Sequence, residues 1–101
     1  MTDKFRALLG FAVKAGKVSF GHDAAKQSVR GGKAKLLVLT ADASARLCEE
    51  MRGLCGEAVP VLATDLTIAQ VGALLGRKAA VLTVNDPSFC ESLRNQAEQA
   101  E

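Results

Sequence analysis

The residues most able to do chemistry in this sequence are basic side chains gathered around one short segment. Six of the chain's 13 lysines and arginines lie between residues 14 and 35. They are Lys14, Lys17, Lys26, Arg30, Lys33 and Lys35. Gly21 opens the segment between them and Gly31-Gly32 ends it, which predicts a helix from about residues 21–23 to 30. Because a helix start presents unpaired N–H groups and positive dipole charge, this pattern predicts an anion-binding surface.

The uneven distribution of charge supports this interpretation. Residues 1–36 carry eight basic and two acidic side chains, a formal charge of +6, whereas residues 37–101 carry five and nine, a charge of −4. Nucleic acid and acidic membrane both fit a basic surface of this kind. The alternative is an exposed helix face that only contacts solvent. For six basic residues around one glycine-opened helix we favour phosphate binding, with an affinity that falls steeply as salt rises.

Patterns typical of enzymes are weak. Gly16 to Gly21 begins like a phosphate loop, but His22 and Asp23 follow where Lys-Ser/Thr is required. Adjacent residues at a helix start rarely act on one substrate atom, so acid–base chemistry by His22 and Asp23 is disfavoured. The three cysteines form no C-x-x-C pair, which disfavours zinc. We therefore expect a non-enzymatic protein without cofactor or metal, and rank a small-molecule or nucleotide enzyme last.

The same features predict a location. Cys48, Cys55 and Cys90 make an odd count that fits a reducing cytoplasm. Cys48 and Cys55 lie seven residues apart on a predicted helix, and we expect both to pack as small hydrophobic side chains. The sequence shows no signal peptide and no apolar run of membrane-spanning length. Four phenylalanines are the only aromatic residues, too few for a platform that stacks single-stranded bases.

The elements that must position the basic residues alternate between helices and strands within one domain, residues 1–101. Apolar periodicity and turn residues predict helices near 3–15, 21–30, 44–55, 67–75 and from 87, and strands near 17–20, 36–39, 59–63 and 79–84. We expect the polar tail, residues 95–101, to fray. The apolar run 36–39 indicates a central strand, and Pro60 indicates a strand start or edge. The alternation predicts an α/β sheet between helical layers.

Four of the five predicted helices have candidate N-terminal capping or starting residues. Thr2 or Asp3 can cap the first helix, Asp42 or Ser44 the third and Thr67 the fourth, and Asp86-Pro87 is a typical start for the fifth.

Several motifs resemble one known family. The first is residues 8–17 (Leu-Leu-Gly-Phe-Ala-Val-Lys-Ala-Gly-Lys), followed by Gly21. The others are residues 30–36 (Arg-Gly-Gly-Lys-Ala-Lys-Leu) and residues 40–44 (Thr-Ala-Asp-Ala-Ser). Over about residues 5–93 the chain resembles the L-seven-Ae/L-thirty-e family of ribosomal proteins, in particular its bacterial YlxQ-type branch.

This resemblance implies a three-layer α/β/α sandwich with a four-stranded mixed sheet. It also implies binding of kinked or bulged structured RNA, typically a kink-turn with tandem G·A pairs. The second helix would enter the groove that the kink widens, and the loop 76–79 would support an extruded nucleotide. Such recognition avoids the regular A-form major groove, which is too narrow to read. The implied partner is ribosomal or regulatory RNA, with the ribosome as one option, and the protein is expected to be monomeric.

The family's pattern Gly-x-Asn-Glu-x-x-Lys is altered in this chain. A gap-free match from Gly21 places Asp23, Ala24 and Gln27 at its Asn, Glu and Lys. Moving the match by one residue instead places His22, Asp23 and Lys26 at the family's Asn, Glu and Lys. In that match Gly21 no longer aligns with the family's glycine. Asp23 accepts hydrogen bonds but lacks the amide's donors, and Gln27 lacks the charge.

From the residues and the resemblance together, we predict one RNA-binding site. Its primary contacts are Gly21, His22, Asp23, Lys26, Gln27 and Arg30, its phosphate contacts are Lys14, Lys17, Lys33 and Lys35, and Arg77 and Lys78 complete it. The alternative is a protein-interaction module that docks to the ribosome or to transcription or translation factors through a degenerate RNA site.

Overall fold

The structure is a computed structural model that describes residues 3–99. Helices and strands alternate along the chain as predicted. Their bounds are α1 Asp3–Lys14, β1 Val18–Phe20, α2 His22–Arg30, β2 Leu36–Leu39, α3 Ala45–Cys55, β3 Val61–Ala63, α4 Ile68–Leu75, β4 Val81–Val84 and α5 Pro87–Gln99.

The four strands form one mixed sheet in the order β1-β4-β2-β3. β4 runs antiparallel to both of its neighbours, whereas β2 and β3 are parallel. Leu37 of β2 lies between Val61 of β3 and Thr83 of β4, and every residue of β2 is buried. The prediction that residues 36–39 form a central strand is confirmed, and β3, which follows Pro60, lies at an edge of the sheet.

Helices cover both faces of this sheet. Side chains that alternate along β2 and β4 enter different cores, because successive residues of a strand point to opposite faces. On one face, α1, α4 and α5 supply Phe5, Leu9, Val71 and Leu93. On the other face, α2 and α3 supply Ala25, Met51 and Cys55, with Cys48 packed against them. The predicted three-layer sandwich is confirmed, and Cys48 and Cys55 pack as expected.

Polar caps begin most of the helices. Of the two candidates for α3, Ser44 is the cap: its Oγ atom accepts a hydrogen bond from the Leu47 N–H at 3.1 Å. Asp42 instead accepts from the Ile68 N–H at 3.0 Å, so it supports the start of α4. Thr67 and Gln70 form a capping box at the same helix. The Asp86 carboxylate accepts from the Phe89 N–H at 3.0 Å, as the Asp-Pro start predicted.

The last helix is longer than its apolar pattern indicated. α5 continues through Gln99, so residues 95–99 are helical, and the fraying of the tail stays a prediction. Ala97 packs against the core formed with α1 and α4, and this apolar contact holds the last turns against the domain. Thr2 and residues 100–101 lie outside the described residues. Within 3–99, no helix combines the length and the apolar character needed to cross a bilayer.

Candidate nucleic-acid interface

The start of α2 is fixed to the end of the sheet by Gly21. Its φ of 90° and ψ of 172° lie in a region that favours glycine. The Gly21 N–H donates to the Val81 carbonyl at 2.9 Å, which ties the helix start to the beginning of β4. Among residues 3–99 no side chain caps this end, so the N–H groups of the first turn have no capping oxygen. The geometry leaves a helix start open to an anion.

A carboxylate from α3 contacts two of the predicted binding residues. Glu50 Oε2 lies 2.7 Å from His22 Nε2 and 3.5 Å from Lys26 Nζ. The hydrogen bond with His22 is the main reason why the pKa of Glu50 is lowered from its ordinary value, and the charges of His22 and Lys26 add to it. The Glu50 side chain is 40% exposed, so the pair is accessible to solvent. Such exposed pairs contribute little free energy.

Glu50 is one residue of this site that the sequence did not indicate. It lies 28 residues after His22, and no spacing rule connects positions on different helices. The Lys26 side chain is 28% exposed, and its ammonium group faces the Glu50 carboxylate. His22 and Lys26 are therefore brought together as predicted, but with an acid between them.

Asp23 adds a second negative charge at the helix start. Its Oδ1 atom lies 3.4 Å from His22 Nδ1, a long contact, and its side chain is 96% exposed. A carboxylate at this position interacts favourably with the helix dipole. The same charge repels a phosphate that approaches closely, so Asp23 is suited to accept hydrogen bonds from bases or sugars.

A second group of predicted residues lies on the other side of α2. Lys17, Gln27, Lys33 and Lys35 line one cleft, with a volume of about 650 Å³. The sequence predicted these residues as parts of one site but gave no indication of a cleft.

The polar side chains within this cleft were missed by the sequence analysis. Ser19 and Ser28 are hydrogen-bonded through their Oγ atoms at 2.9 Å, and Asn85 Nδ2 donates to Ser19 Oγ at 3.0 Å. Thr83 Oγ1 in turn donates to Asn85 Oδ1 at 3.0 Å. One signal was available: Ser28 follows the buried Ala25 by three residues, a spacing that directs both side chains toward the sheet.

The loop before β4 places Arg77 over Phe20, the last residue of β1. The Arg77 guanidinium lies 5.1 Å from the centre of the Phe20 ring, within the range of a cation–π contact. The Phe20 ring belongs to the core formed with α1, α4 and α5, so this contact places Arg77 at the edge of that core, beside the residue that precedes Gly21 in the chain. Lys78 instead lies along α4, where a Cβ atom added to Gly72 would come within 2.6 Å of its Cγ atom. Lys14 and Arg30 are exposed, and neither lines the cleft.

The described residues offer binding groups and little catalytic machinery. No three His, Cys, Asp or Glu side chains between residues 3 and 99 are grouped as metal ligands. Burial raises the pKa of the Cys55 and Cys90 thiols, which favours the unreactive protonated form. The arrangement is suited to hold an anionic ligand on both sides of α2.

Comparisons with known proteins agree with this fold. The family described as the ribosomal protein L7Ae/L30e/S12e/Gadd45 family matches residues 3–93. The chain is 34% identical over 88 residues to the RNA-binding protein YlxQ of Bacillus subtilis (strain 168), a match covering 85% of this chain and 87% of that protein.

Two solved structures are similar. A Bacillus halodurans protein of unknown function superposes with a TM-score of 0.88 at 24% identity, covering 96% of this chain and 99% of that one. The Giardia lamblia 15.5kD RNA binding protein superposes with a TM-score of 0.79 at 15% identity, covering 98% and 92%. At these identities the superpositions show a shared fold. With the sequence matches they lead to one conclusion: the chain belongs to the ribosomal protein L7Ae/L30e/S12e/Gadd45 family.

Proposed function

We propose that this protein is a non-enzymatic RNA-binding protein that recognises kinked or bulged structured RNA, of the kink-turn type, through the start of α2. Family membership and the RNA-binding relative YlxQ support the ligand class. The observation that carries the choice of surface is the uncapped helix start at Gly21, with His22 and Lys26 on its first turns.

The chemistry of this surface fits a distorted RNA. Open backbone N–H groups and a positive dipole end receive phosphate, while Asp23 and His22 offer hydrogen-bonding groups for base edges. An undistorted A-form duplex would not admit a helix into its major groove, so a kink or bulge is required. Arg77 adds a guanidinium that is already held against Phe20.

Glu50 must be accommodated by any RNA that binds here. Because Glu50 is exposed and its ion pairs are weak, a phosphate can compete for His22 and Lys26. Glu50 then either turns toward solvent or accepts a hydrogen bond from an RNA hydroxyl or amine. In both cases it lowers affinity for bare phosphate and raises the requirement for a matching RNA shape.

Filter binding with two RNAs tests the proposal. One is a kink-turn RNA with tandem G·A pairs, and the other is the same RNA with those pairs replaced by Watson–Crick pairs. We expect tighter binding to the kinked RNA and a steep fall in affinity between low and high salt. Equal affinity for the two RNAs at every salt concentration would contradict recognition of the kink.

A matched pair of variants locates the surface. Lys26→Gln should weaken binding of the kinked RNA, whereas Lys4→Gln, the same charge change on α1 at the opposite face of the sheet, should not. Equal losses in both variants would mean that only net charge matters and would remove the start of α2 as the site.

The protein-interaction alternative also has an observation in its favour. Glu50 already contacts His22 and Lys26, and Phe11 of α1 is a large apolar side chain that is 58% exposed. Capture of partners from a lysate, with and without nuclease treatment, separates the two functions. Partners that depend on RNA disappear after nuclease, whereas ribosomal or factor partners bound through protein contacts remain.

A further inference from the structure

The cleft beside α2 differs in composition from the start of the helix, which suggests a separate ligand group for it. Three lysines surround it, and its other polar side chains are amides and hydroxyls. We propose that this cleft binds one unpaired nucleotide, with its phosphate on the lysines and its sugar or base against Gln27, Ser28 and Asn85. The statement that this nucleotide belongs to a bound RNA rests on the proposed function.

The backbone of the cleft cannot serve as the anion-binding element. The N–H groups of Lys17, Gly31, Gly32 and Lys33 all donate to carbonyls of the protein, at 2.9 to 3.2 Å. An anion here must therefore be held by side chains. The three exposed ammonium groups of Lys17, Lys33 and Lys35 are the available donors with positive charge.

The hydrogen-bond chain at the base of the cleft runs in a defined direction. Thr83 Oγ1 donates to Asn85 Oδ1, and Asn85 Nδ2 donates to Ser19 Oγ. Ser19 and Ser28 then share one hydrogen bond at 2.9 Å. Two hydroxyl groups bring two donor protons, and their mutual bond uses one of them.

One serine hydroxyl proton and the second N–H of Asn85 remain as donors at this place. Ser28 is only 6% exposed, so a donor there has little access to bulk water. Buried or half-buried donors gain most from an acceptor that enters the site. Oxygen atoms of a phosphate, a ribose or a base edge are acceptors of this kind.

The volume and the lining residues of the cleft indicate what size and kind of ligand it can hold. A volume of about 650 Å³ lies within the range of about 300 to 1,000 Å³ that small-molecule sites occupy. None of the described residues that line the cleft is aromatic, so a base would be held by hydrogen bonds, not by stacking. Amide side chains such as Gln27 and Asn85 offer both donors and acceptors, which match the polar edges of bases.

Nuclear magnetic resonance of the full chain tests the cleft without RNA. Uridine 5′-monophosphate and, separately, inorganic phosphate are added to the labelled protein. We expect saturable shifts of the Ser19, Ser28 and Asn85 amide signals, with Ser28→Ala weakening binding about tenfold, as for loss of a hydrogen bond to a charged group. Shifts that do not saturate, or that Ser28→Ala leaves unchanged, would overturn the proposal.

Matched controls separate the cleft from general charge and from misfolding. Ser92→Ala changes an exposed serine on α5, and Lys4→Gln removes a positive charge on α1, at the opposite face of the sheet; neither should alter binding. Lys33→Gln should weaken it. Because Lys33 is exposed, this variant keeps the fold and serves if Ser28→Ala does not fold. Equal effects of Lys33→Gln and Lys4→Gln would count against the cleft.

A second arm assigns the source of the nucleotide. Abasic residues are placed one at a time in the loop of the kink-turn RNA, and affinity is measured for the wild type and for Ser28→Ala. An abasic position that weakens the wild type but has no further effect in Ser28→Ala supports an RNA nucleotide in the cleft. If every position acts equally in both proteins, the RNA source is wrong. If the wild type binds no kink-turn RNA, the proposed function fails, while saturable binding of uridine monophosphate still supports the cleft as a site for a free nucleotide.

Discussion

His22 Nε2 on α2 lies 2.7 Å from Glu50 Oε2 on α3, and this contact joins the two helices on one face of the sheet. It places a carboxylate beside the open start of α2, where a phosphate is proposed to bind. The acid and the phosphate compete for the same cationic and hydrogen-bonding groups. The competition gives the first prediction below, and the contact between His22 and Glu50 gives the second.

Glu50→Gln should increase the affinity for kink-turn RNA about threefold, because an exposed charge that competes with phosphate is removed. Glu49→Gln is the matched control, since it makes the same charge change at the neighbouring exposed position of α3. Filter binding at low salt compares the two. An equal gain in both variants would attribute the effect to net charge and would deny Glu50 a specific role.

The pH dependence of Glu50 follows from its lowered pKa. The hydrogen bond with His22 is the largest cause, so His22→Ala should raise the pKa toward its ordinary value of 4.5, and Lys26→Gln should raise it less. A carboxyl whose pKa is lowered by folding contributes stability above its unfolded pKa and loses it as the pH falls through the folded value. Carbon-detected titration of the Glu50 carboxyl measures the midpoints. A midpoint that His22→Ala leaves unchanged would contradict the assigned cause.

Arg30→Glu should weaken RNA binding about tenfold and lower the salt dependence, while leaving the melting temperature unchanged. Arg30 is exposed at the last turn of α2, so its replacement disturbs no packing. Lys26→Glu should also weaken binding but should lower the melting temperature, because it sets a second carboxylate against Glu50. Lys4→Glu on α1 is the control for binding. A filter-binding series measures the RNA affinity of each variant, and thermal melts measure its melting temperature. If Arg30→Glu binds RNA as tightly as the wild type, this helix face is not part of the site.

Leu37→Ala should cost about 2 to 5 kcal/mol of unfolding free energy, since it leaves a cavity in the middle of the sheet. Leu37 is fully buried in β2, with strands on both sides. Leu74→Ala provides the control, because Leu74 is among the exposed large apolar side chains and should cost far less. Urea unfolding measures both. Similar losses for the two variants would contradict the packing described for β2.

Much of the fold was accessible from local patterns. The continuous apolar run 36–39 identified the central strand, because only a strand covered on both faces buries every side chain. Asp86-Pro87 and Thr67 marked helix starts through hydrogen bonds that lie within three residues. Ser44 and Asp42 were equally good caps by sequence. Their different roles depend on α4 lying next to residue 42, a relationship between distant segments.

The candidate site also has features that local sequence predicts and features that depend on tertiary packing. The sequence by itself determined that basic residues surround a glycine-opened helix, because helix starts, glycine stops and the spacing of Lys26 and Arg30 are local properties. Only the tertiary structure decided that Glu50 contacts His22, that Lys17 and Lys33 share a cleft with Asn85, and that Arg77 lies over Phe20. These contacts join residues up to 68 positions apart, from Lys17 to Asn85, and such pairs are set by how helices pack on the sheet. Packing depends on the whole core at once, so no short stretch of sequence contains it.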